Sequence, residues 1–146
     1  MTFENNHAGD LGSPGRERTR RLLLQGSIAA IYFEYLPYFL RLGDWKIALI
    51  AMTVIPAADG RVQRIPSDEV AQELQIARRR ADLVVISIHW GKEYQRLTDA
   101  VQLREARWLI RHGDDLIVSH HPHVVEPPQC VEGHPVFFSL GNFVFD

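Results

Sequence analysis

The sequence predicts an α/β fold in which a mostly parallel sheet carries helices on both faces and a hairpin follows near the C-terminus. Apolar runs alternate with amphipathic stretches along the chain, which is typical of βαβ units. No internal repeat or low-complexity tract interrupts this alternation. With 146 residues, 46% of them hydrophobic, the chain has the size and composition of one globular domain, here residues 1–146. Such a chain buries enough surface to fold without a structural metal.

Net charge, cysteine content and hydrophobicity bear on the partners and the compartment of this protein. Sixteen Lys and Arg against eighteen Asp and Glu leave a net charge of −2, which exerts no global attraction on nucleic acid, so we expect no nucleic-acid partner. The lone Cys130 leaves the redox compartment open. We find no signal peptide, and the longest uncharged apolar stretch is far shorter than the ~20 residues that span a bilayer. We therefore expect no membrane segment in this chain.

The N-terminal half predicts one helix and two strands. Ser13 and Pro14 are typical of a helix start, and the helix extends to Gln25 before Gly26. Its basic run indicates a solvated face. Residues 28–33 (Ile28 to Phe33) and 46–53 (Lys46 to Thr53) are continuous aliphatic and β-branched runs, which predict buried strands.

The second half alternates helices with strands. Ser67 caps a predicted helix from Asp68 to Arg80, in which Arg78–Arg80 suit the negative end of the helix dipole. The predicted elements that follow are a strand at 82–88, a helix from Thr98 to Gly113, a strand at 115–119 and a hairpin at 129–138 that turns at Glu132-Gly133.

Histidines follow two successive predicted strands. His89 ends one of them, and His120, His121 and His123 end the next. Because ligands of open α/β sheets bind at the carboxyl edge of the strands, we expect His89, His121 and His123 to lie close enough to share one ion. Neutral imidazoles bind zinc, iron or nickel, and manganese when oxygen ligands join them. The alternative is that they are loop histidines bonded to backbone carbonyls. His112 and His134 are interpreted as structural.

The sequence contains a series of short motifs, which are Asn5–Asp10, His89–Tyr94, Gln102, His120–Val124 and Ser139–Asp146. In this order the motifs resemble those of CapA-type capsule-synthesis proteins, the poly-γ-glutamate capsule biosynthesis family. The domain of that family is similar to the calcineurin-like metallophosphoesterases. The resemblance therefore implies a partial metallophosphatase-like sheet.

The resemblance implies roles for particular residues. Asn6, His89, His121 and His123 match metal ligands, and His7 matches the histidine that protonates a leaving group. Paired asparagines also favour turns, which is the alternative for the Asn5-Asn6-His7 segment. The cofactor would be a divalent metal ion, Mn, Fe or Zn, and its identity stays open.

Four further residues are expected to shape the site. Trp90 and Glu93 follow directly after a ligand strand, so Glu93 can orient a ligand histidine through a hydrogen bond. The alternative for Glu93 is plain solvent exposure. His120 and Asn142 lie within the closing motifs, although Ser119 replaces the glycine usual before His120.

One departure from the family bears on activity. Family members begin with a strand that ends in Gly-Asp and a second that ends in Asn-Leu-Glu, and these supply acidic ligands. The sequence starts instead at Thr2-Phe3-Glu4-Asn5, so we expect a domain that lacks its N-terminal strands. A two-metal hydrolase needs a bridging acidic group, and we expect one full metal position here.

Three functions remain open. The first is a CapA-like role in poly-γ-glutamate capsule assembly or export, with capsule polymer and other capsule-synthesis proteins as partners. The second is a metal-dependent phosphoesterase acting on a phosphorylated small substrate, with His7 as general acid. The third is a catalytically inactive fragment. The resemblance implies a parent protein that is membrane-anchored and faces outward, but the compartment of this chain cannot be inferred.

Overall fold

The computed structural model describes residues 1–32 and 36–143, which form a six-stranded mixed sheet with three helices. The strands lie in the order β1-β2-β3-β4-β6-β5, and the pairs β1/β2 and β5/β6 are antiparallel while the others are parallel. The α/β class is thereby confirmed. The elements are α1 (Gly12–Gln25), β1 (Tyr38–Leu42), β2 (Trp45–Thr53), α2 (Asp68–Arg80), β3 (Leu83–His89), α3 (Ala100–Arg111), β4 (Leu116–His120), β5 (Gln129–Val131) and β6 (His134–Phe137).

The parallel strands β2, β3 and β4 form the centre of the sheet and end level with one another. Thr53 is the register partner of His89, and His89 is the partner of His120. This register places the ends of three strands side by side at one edge. One face of the three strands is fully buried and consists of Ala48, Ile50, Met52, Val84, Ile86, Ile88, Ile117 and Ser119.

Helices α2 and α3 cover that buried face. As predicted, Ser67 caps α2, and its hydroxyl accepts a hydrogen bond from the Val70 amide. Helix α3 begins with a capping box in which Asp99 accepts from the Gln102 amide and Gln102 Oε1 accepts from the Asp99 amide. The helices contribute Val70, Leu74, Ala77, Ala106, Leu109 and Ile110 to the same core cluster as the strands.

The opposite face of the sheet is only partly covered by the described residues. The N-terminal segment meets it where Thr2 Oγ1 lies 3.2 Å from Ser87 Oγ. Helix α1 buries none of its own residues and is held through Arg16, whose guanidinium lies over the rings of Phe3 and Tyr32. Of the three helices of the described residues, only α2 and α3 contribute to the core of the sheet, while α1 contacts the N-terminal segment.

The structure corrects one predicted strand and adds another. Residues 28–32 form no strand; Ile31 makes a single parallel bridge to Thr2, and Phe33 lies outside the described residues. A β-branched run forms a strand only when a neighbouring strand pairs with it over several residues. Here the pairing is limited to the one bridge with Thr2. The antiparallel neighbour of β2 is instead β1, which turns at Gly43 with φ of +59°. The predicted cap Ser13 lies inside α1, which has no side-chain cap.

No helix within residues 1–32 and 36–143 is long and apolar enough to cross a membrane.

Candidate metal centre

Four histidines meet at the carboxyl edge of β3 and β4. The His89 ring centroid lies 4.8 Å from that of His120 and 4.6 Å from that of His121. The His121 and His123 centroids are 6.2 Å apart. The structure thus brings together the histidines that sequence analysis assigned to one edge of the sheet.

The backbone of the loop after β4 adopts an uncommon conformation at two of these histidines. His121 has φ of +113° and His123 has φ of +63°, values that side chains with a Cβ rarely adopt. The loop is held to the one after β3, because the Tyr94 amide donates to the Pro122 carbonyl at 2.8 Å. Strained backbone of this kind clusters at functional sites. The directions of the two rings are therefore set by positive φ at both residues.

A chain of hydrogen bonds links the N-terminal motif to the histidines. Asp10 Oδ2 lies 2.8 Å from His7 Nδ1, the Asn6 amide nitrogen lies 3.3 Å from His7 Nε2, and Asn6 Oδ1 lies 2.8 Å from His89 Nε2. The consistent proton assignment has His7 Nδ1 donating to Asp10, the Asn6 amide donating to His7, and His89 Nε2 donating to Asn6. The remaining ring nitrogen, His89 Nδ1, is buried and has no hydrogen-bond partner.

His123 is oriented from the C-terminal side of the site. Its Nδ1 lies 2.9 Å from Asn142 Oδ1 and donates to it, which leaves Nε2 as an acceptor. Tyr94 stacks on the His123 ring at a centroid distance of 5.8 Å. Neither Tyr94 nor Asp10 was predicted as a site residue, although both belong to the motifs that resemble the family. Residues 144–146 of the closing motif lie outside the described residues.

Burial keeps three of the clustered histidines, His89, His120 and His121, neutral. It lowers the pKa of His89 to about 3, with smaller contributions from the charges of His120 and His121. Burial also lowers the pKa of His120 and of His121. At neutral pH these rings therefore carry free electron pairs, as metal ligands require.

Trp90 supports the site from within the core. It is fully buried, stacks on Phe138, and donates its indole N–H to Ser119 Oγ at 2.8 Å and to the Phe138 carbonyl at 3.3 Å. Ser119 stands where the resemblance implies a glycine, and its hydrogen bond from Trp90 connects the ends of β3 and β4. Trp90 fixes the spacing of the strand ends and does not line the cluster surface.

Glu93 is exposed, and within the part of the chain that the structure describes it makes no hydrogen bond to a histidine. Its carboxylate is still near enough to act on the cluster, since its charge raises the pKa of His121 against the larger effect of burial. The orienting hydrogen bond expected of Glu93 is therefore not formed, and its influence is electrostatic.

The donor set suits a divalent ion, although the side chains do not enclose one as they stand. Across residues 1–32 and 36–143, no group of three or more His, Cys, Asp or Glu side chains has the geometry to hold a metal ion. The chemistry nevertheless fits, because neutral imidazoles lie beside an amide oxygen and one buried ring nitrogen lacks any partner.

The strand order and the histidines at the carboxyl edge define an α/β domain with an open, mostly parallel sheet. The sulfate thiohydrolase SoxB of Thermus thermophilus, solved in complex with glycerol, shares this fold with a TM-score of 0.56 over 86% of this chain and 26% of that protein, at 22% identity. The family model for the bacterial capsule synthesis protein PGA_cap matches residues 1–146. The chain therefore belongs to the PGA_cap family.

Curated relatives carry names from capsule synthesis. The PGA biosynthesis protein CapA of Bacillus subtilis is 49% identical over 70 residues, which is 48% of this chain and 18% of that protein. The capsule biosynthesis protein CapA of Bacillus anthracis is 46% identical over 66 residues, 45% of this chain and 16% of that protein. A probable polyglutamine synthesis accessory protein of Mycobacterium tuberculosis is 30% identical over 84 residues, 58% of this chain and 22% of that protein. The matches span less than a quarter of the length of these relatives.

Proposed function

We propose that this chain is the metallophosphatase-like part of a CapA-type protein that serves poly-γ-glutamate capsule assembly or export, and that it carries a divalent-metal site. The observation that supports the proposal is the cluster of histidines at the carboxyl edge of β3 and β4, three of which burial keeps neutral, in a chain that matches the PGA_cap family from end to end. Other proteins of capsule synthesis and the capsule polymer are its proposed partners.

The proposed ligands are His89, His121, His123 and Asn6. His89 offers its unpartnered Nδ1, and His123 offers Nε2 because Asn142 occupies Nδ1. The Asn6 carbonyl oxygen has a second lone pair beyond the one used by His89. Rotation of the rings about their side-chain bonds has to bring these atoms together. A bound Mn, Fe or Zn ion would polarise an oxygen of whatever group it holds.

The metal content of purified protein tests this proposal. After incubation with Mn²⁺ or Zn²⁺ and desalting, we expect the wild type to retain about one ion and the His121→Ala, His123→Ala double variant to lose most of it. His134→Ala is the matched control, because His134 lies at the start of β6 with Nδ1 near the Asp115 carbonyl. Equal metal content in the double variant and the wild type would contradict the proposed metal site.

A second candidate is a metal-dependent phosphoesterase, which the His7–Asp10 pair favours. Asp10 orients the His7 ring so that Nε2 faces Asn6, a proposed ligand. His7 can act as a general acid at this place once Nε2, which accepts from the Asn6 amide in the structure, has taken up a proton. A generic phosphodiester assayed with added Mn²⁺ tests this activity. We expect little or no turnover, because a two-metal hydrolase needs a bridging acidic group, and no group of three or more His, Cys, Asp or Glu side chains within the described residues has the geometry to hold an ion. If the wild type turned over the phosphodiester and His7→Ala abolished this activity, the chain would be an enzyme and not an inactive domain.

A further inference from the structure

A basic groove lies at the edge of the sheet opposite to the histidines. It has a volume of about 540 Å³ and lies between the β1–β2 hairpin and the end of α2. Since β2 starts at Trp45 and α2 ends just before β3, the groove is at the amino edge of the parallel strands. Four of its six lining residues are cations and none is acidic; the lining consists of Phe39, Leu40, Arg41, Lys46, Arg79 and Arg80.

These cations are not used by the fold. Arg41 and Lys46 are cross-strand partners on one face of the hairpin, and with Arg79 they are exposed and form no ion pair within the described part of the chain. Arg80 lies over the Phe39 ring at 4.4 Å, which leaves the edges of its guanidinium group open. Arg78 differs, since it pairs with Asp115. The helix-end interpretation of the arginine run therefore accounts for Arg78 more fully than for its two neighbours.

The negative groups near the groove do not neutralise it. The Asp82 carboxylate accepts a hydrogen bond from the Lys46 backbone amide at 2.8 Å. The carboxyl end of α2 adds the equivalent of about half a negative charge. Asp44, in the turn of the β1–β2 hairpin, adds a third negative group. Four side-chain cations still exceed these groups and leave the groove positive, in a chain whose overall charge is −2.

We propose that this groove binds an extended polycarboxylate chain. The proposal rests on the proposed function, because the polymer of poly-γ-glutamate capsule synthesis carries one carboxylate per residue. The groove is open and its cations are exposed and come from two elements, which suits several weak contacts along a polymer better than enclosure of a small anion. Arginine side chains can each hold a carboxylate through two parallel hydrogen bonds.

Binding of fluorescently labelled poly-γ-glutamate, measured by anisotropy at low salt with EDTA present, tests the groove. We expect the Lys46→Glu, Arg79→Glu double variant to bind at least about ten-fold more weakly than the wild type, and binding by the wild type to weaken steeply with added salt. The control is the Arg104→Glu, Arg107→Glu double variant on α3, which makes the same change in net charge beside a different cavity. We expect it to bind within about two-fold of the wild type.

Several outcomes would overturn the assignment. Equal weakening in both double variants would show that only net charge matters. Binding of inorganic polyphosphate without binding of poly-γ-glutamate would assign the groove to another polyanion. The neutralising variant Lys46→Gln, Arg79→Gln guards against misfolding, and binding equal to the wild type would also contradict the proposal. The metal content of the groove variants distinguishes failure of this proposal from failure of the proposed function. These variants should retain the metal ion whether or not their binding of poly-γ-glutamate is weakened.

Discussion

His89 Nε2 lies 2.8 Å from Asn6 Oδ1, although the two residues are 83 positions apart in the sequence. This contact attaches the N-terminal motif to the end of a central strand. The hydroxyl contact between Thr2 and Ser87 lies two residues earlier in the same strand and holds the same segment. The Asn6 side chain, His7 and His89 are therefore joined by hydrogen bonds into one group.

The first prediction concerns this contact. Asn6→Ala removes an oxygen donor and frees His89 Nε2, so we expect the affinity for Mn²⁺ or Zn²⁺ to fall about 10- to 100-fold. Isothermal titration of the metal-free protein measures it. Gln129→Ala is the control, because it also removes an amide side chain. Gln129 lies on the C-terminal hairpin and donates a hydrogen bond to Thr98, so its loss should leave the metal affinity unchanged. An unchanged affinity in Asn6→Ala would exclude Asn6 as a ligand.

The second prediction concerns Gly91, which lies in the loop after β3. Its φ is +88°, and a Cβ there would lie 2.7 Å from Gln102 Nε2. Gln102 cannot move away cheaply because its side-chain oxygen closes the capping box with Asp99. We expect Gly91→Ala to lower the free energy of unfolding by about 1–2 kcal/mol for the backbone and about 1 kcal/mol more for the weakened cap.

Gly133→Ala is a matched control for that substitution. Gly133 has nearly the same φ, +87°, but a Cβ there would meet nothing within 4 Å. We expect this variant to show the backbone cost alone in urea unfolding. If the two alanine variants were equally stable, the contact between Gly91 and Gln102 would contribute nothing.

The third prediction concerns Glu73, a buried carboxyl on α2 whose two oxygens have no hydrogen-bond partner. Burial raises its pKa from 4.5 to about 8. The folded protein therefore holds a proton that the unfolded chain releases between these values. The contribution of Glu73 to stability is most favourable below pH 4.5 and is lost as the pH rises toward 8, at up to about 1.4 kcal/mol per pH unit.

Glu73→Gln should remove this dependence. We expect the stability of the variant relative to the wild type to increase between pH 5 and pH 8, as measured by urea unfolding across that range. The buried histidines contribute the opposite slope, and comparison of variant with wild type cancels it. Glu69→Gln, at an exposed position in the first turn of the same helix, should leave the slope unchanged. A parallel pair of curves for Glu73→Gln and wild type would show that Glu73 is ionised in the fold.

Sequence patterns predicted the central strands and helices because each has a strong local signal. Strand β3 is a continuous apolar run, and α2 has its serine cap and charged ends as expected. The same reasoning failed for residues 28–32, since a strand depends on a partner that is remote in sequence. The hairpin that supplies β1 was missed because its short strand lacks a clear alternation.

For the site, the sequence indicated which edge would carry histidines but not how their rings are aimed. His121 and His123 depend on backbone with positive φ, which residues other than glycine adopt only rarely and which the sequence pattern does not predict. The Asp10–His7–Asn6 chain of contacts depends on the fold of the N-terminal segment against β3. Trp90 was expected near the site, but its indole N–H needed a buried partner and found Ser119.

The last prediction concerns the partly covered face of the sheet. Leu42 and Trp45 are cross-strand partners at the tip of the β1–β2 hairpin and are 68% and 61% exposed. They share a face with Leu49 and Val85, which are only half-buried, so the described residues leave an apolar surface next to a sheet edge. Such surfaces favour association.

We expect the chain to self-associate as its concentration rises, as measured by light scattering after size exclusion. The Leu42→Lys, Trp45→Lys double variant should be monomeric. Leu97→Lys, at a 73% exposed loop position, is the control and should associate like the wild type. A monomeric wild type at high concentration would show that isolated apolar exposure at the hairpin is tolerated by this fold.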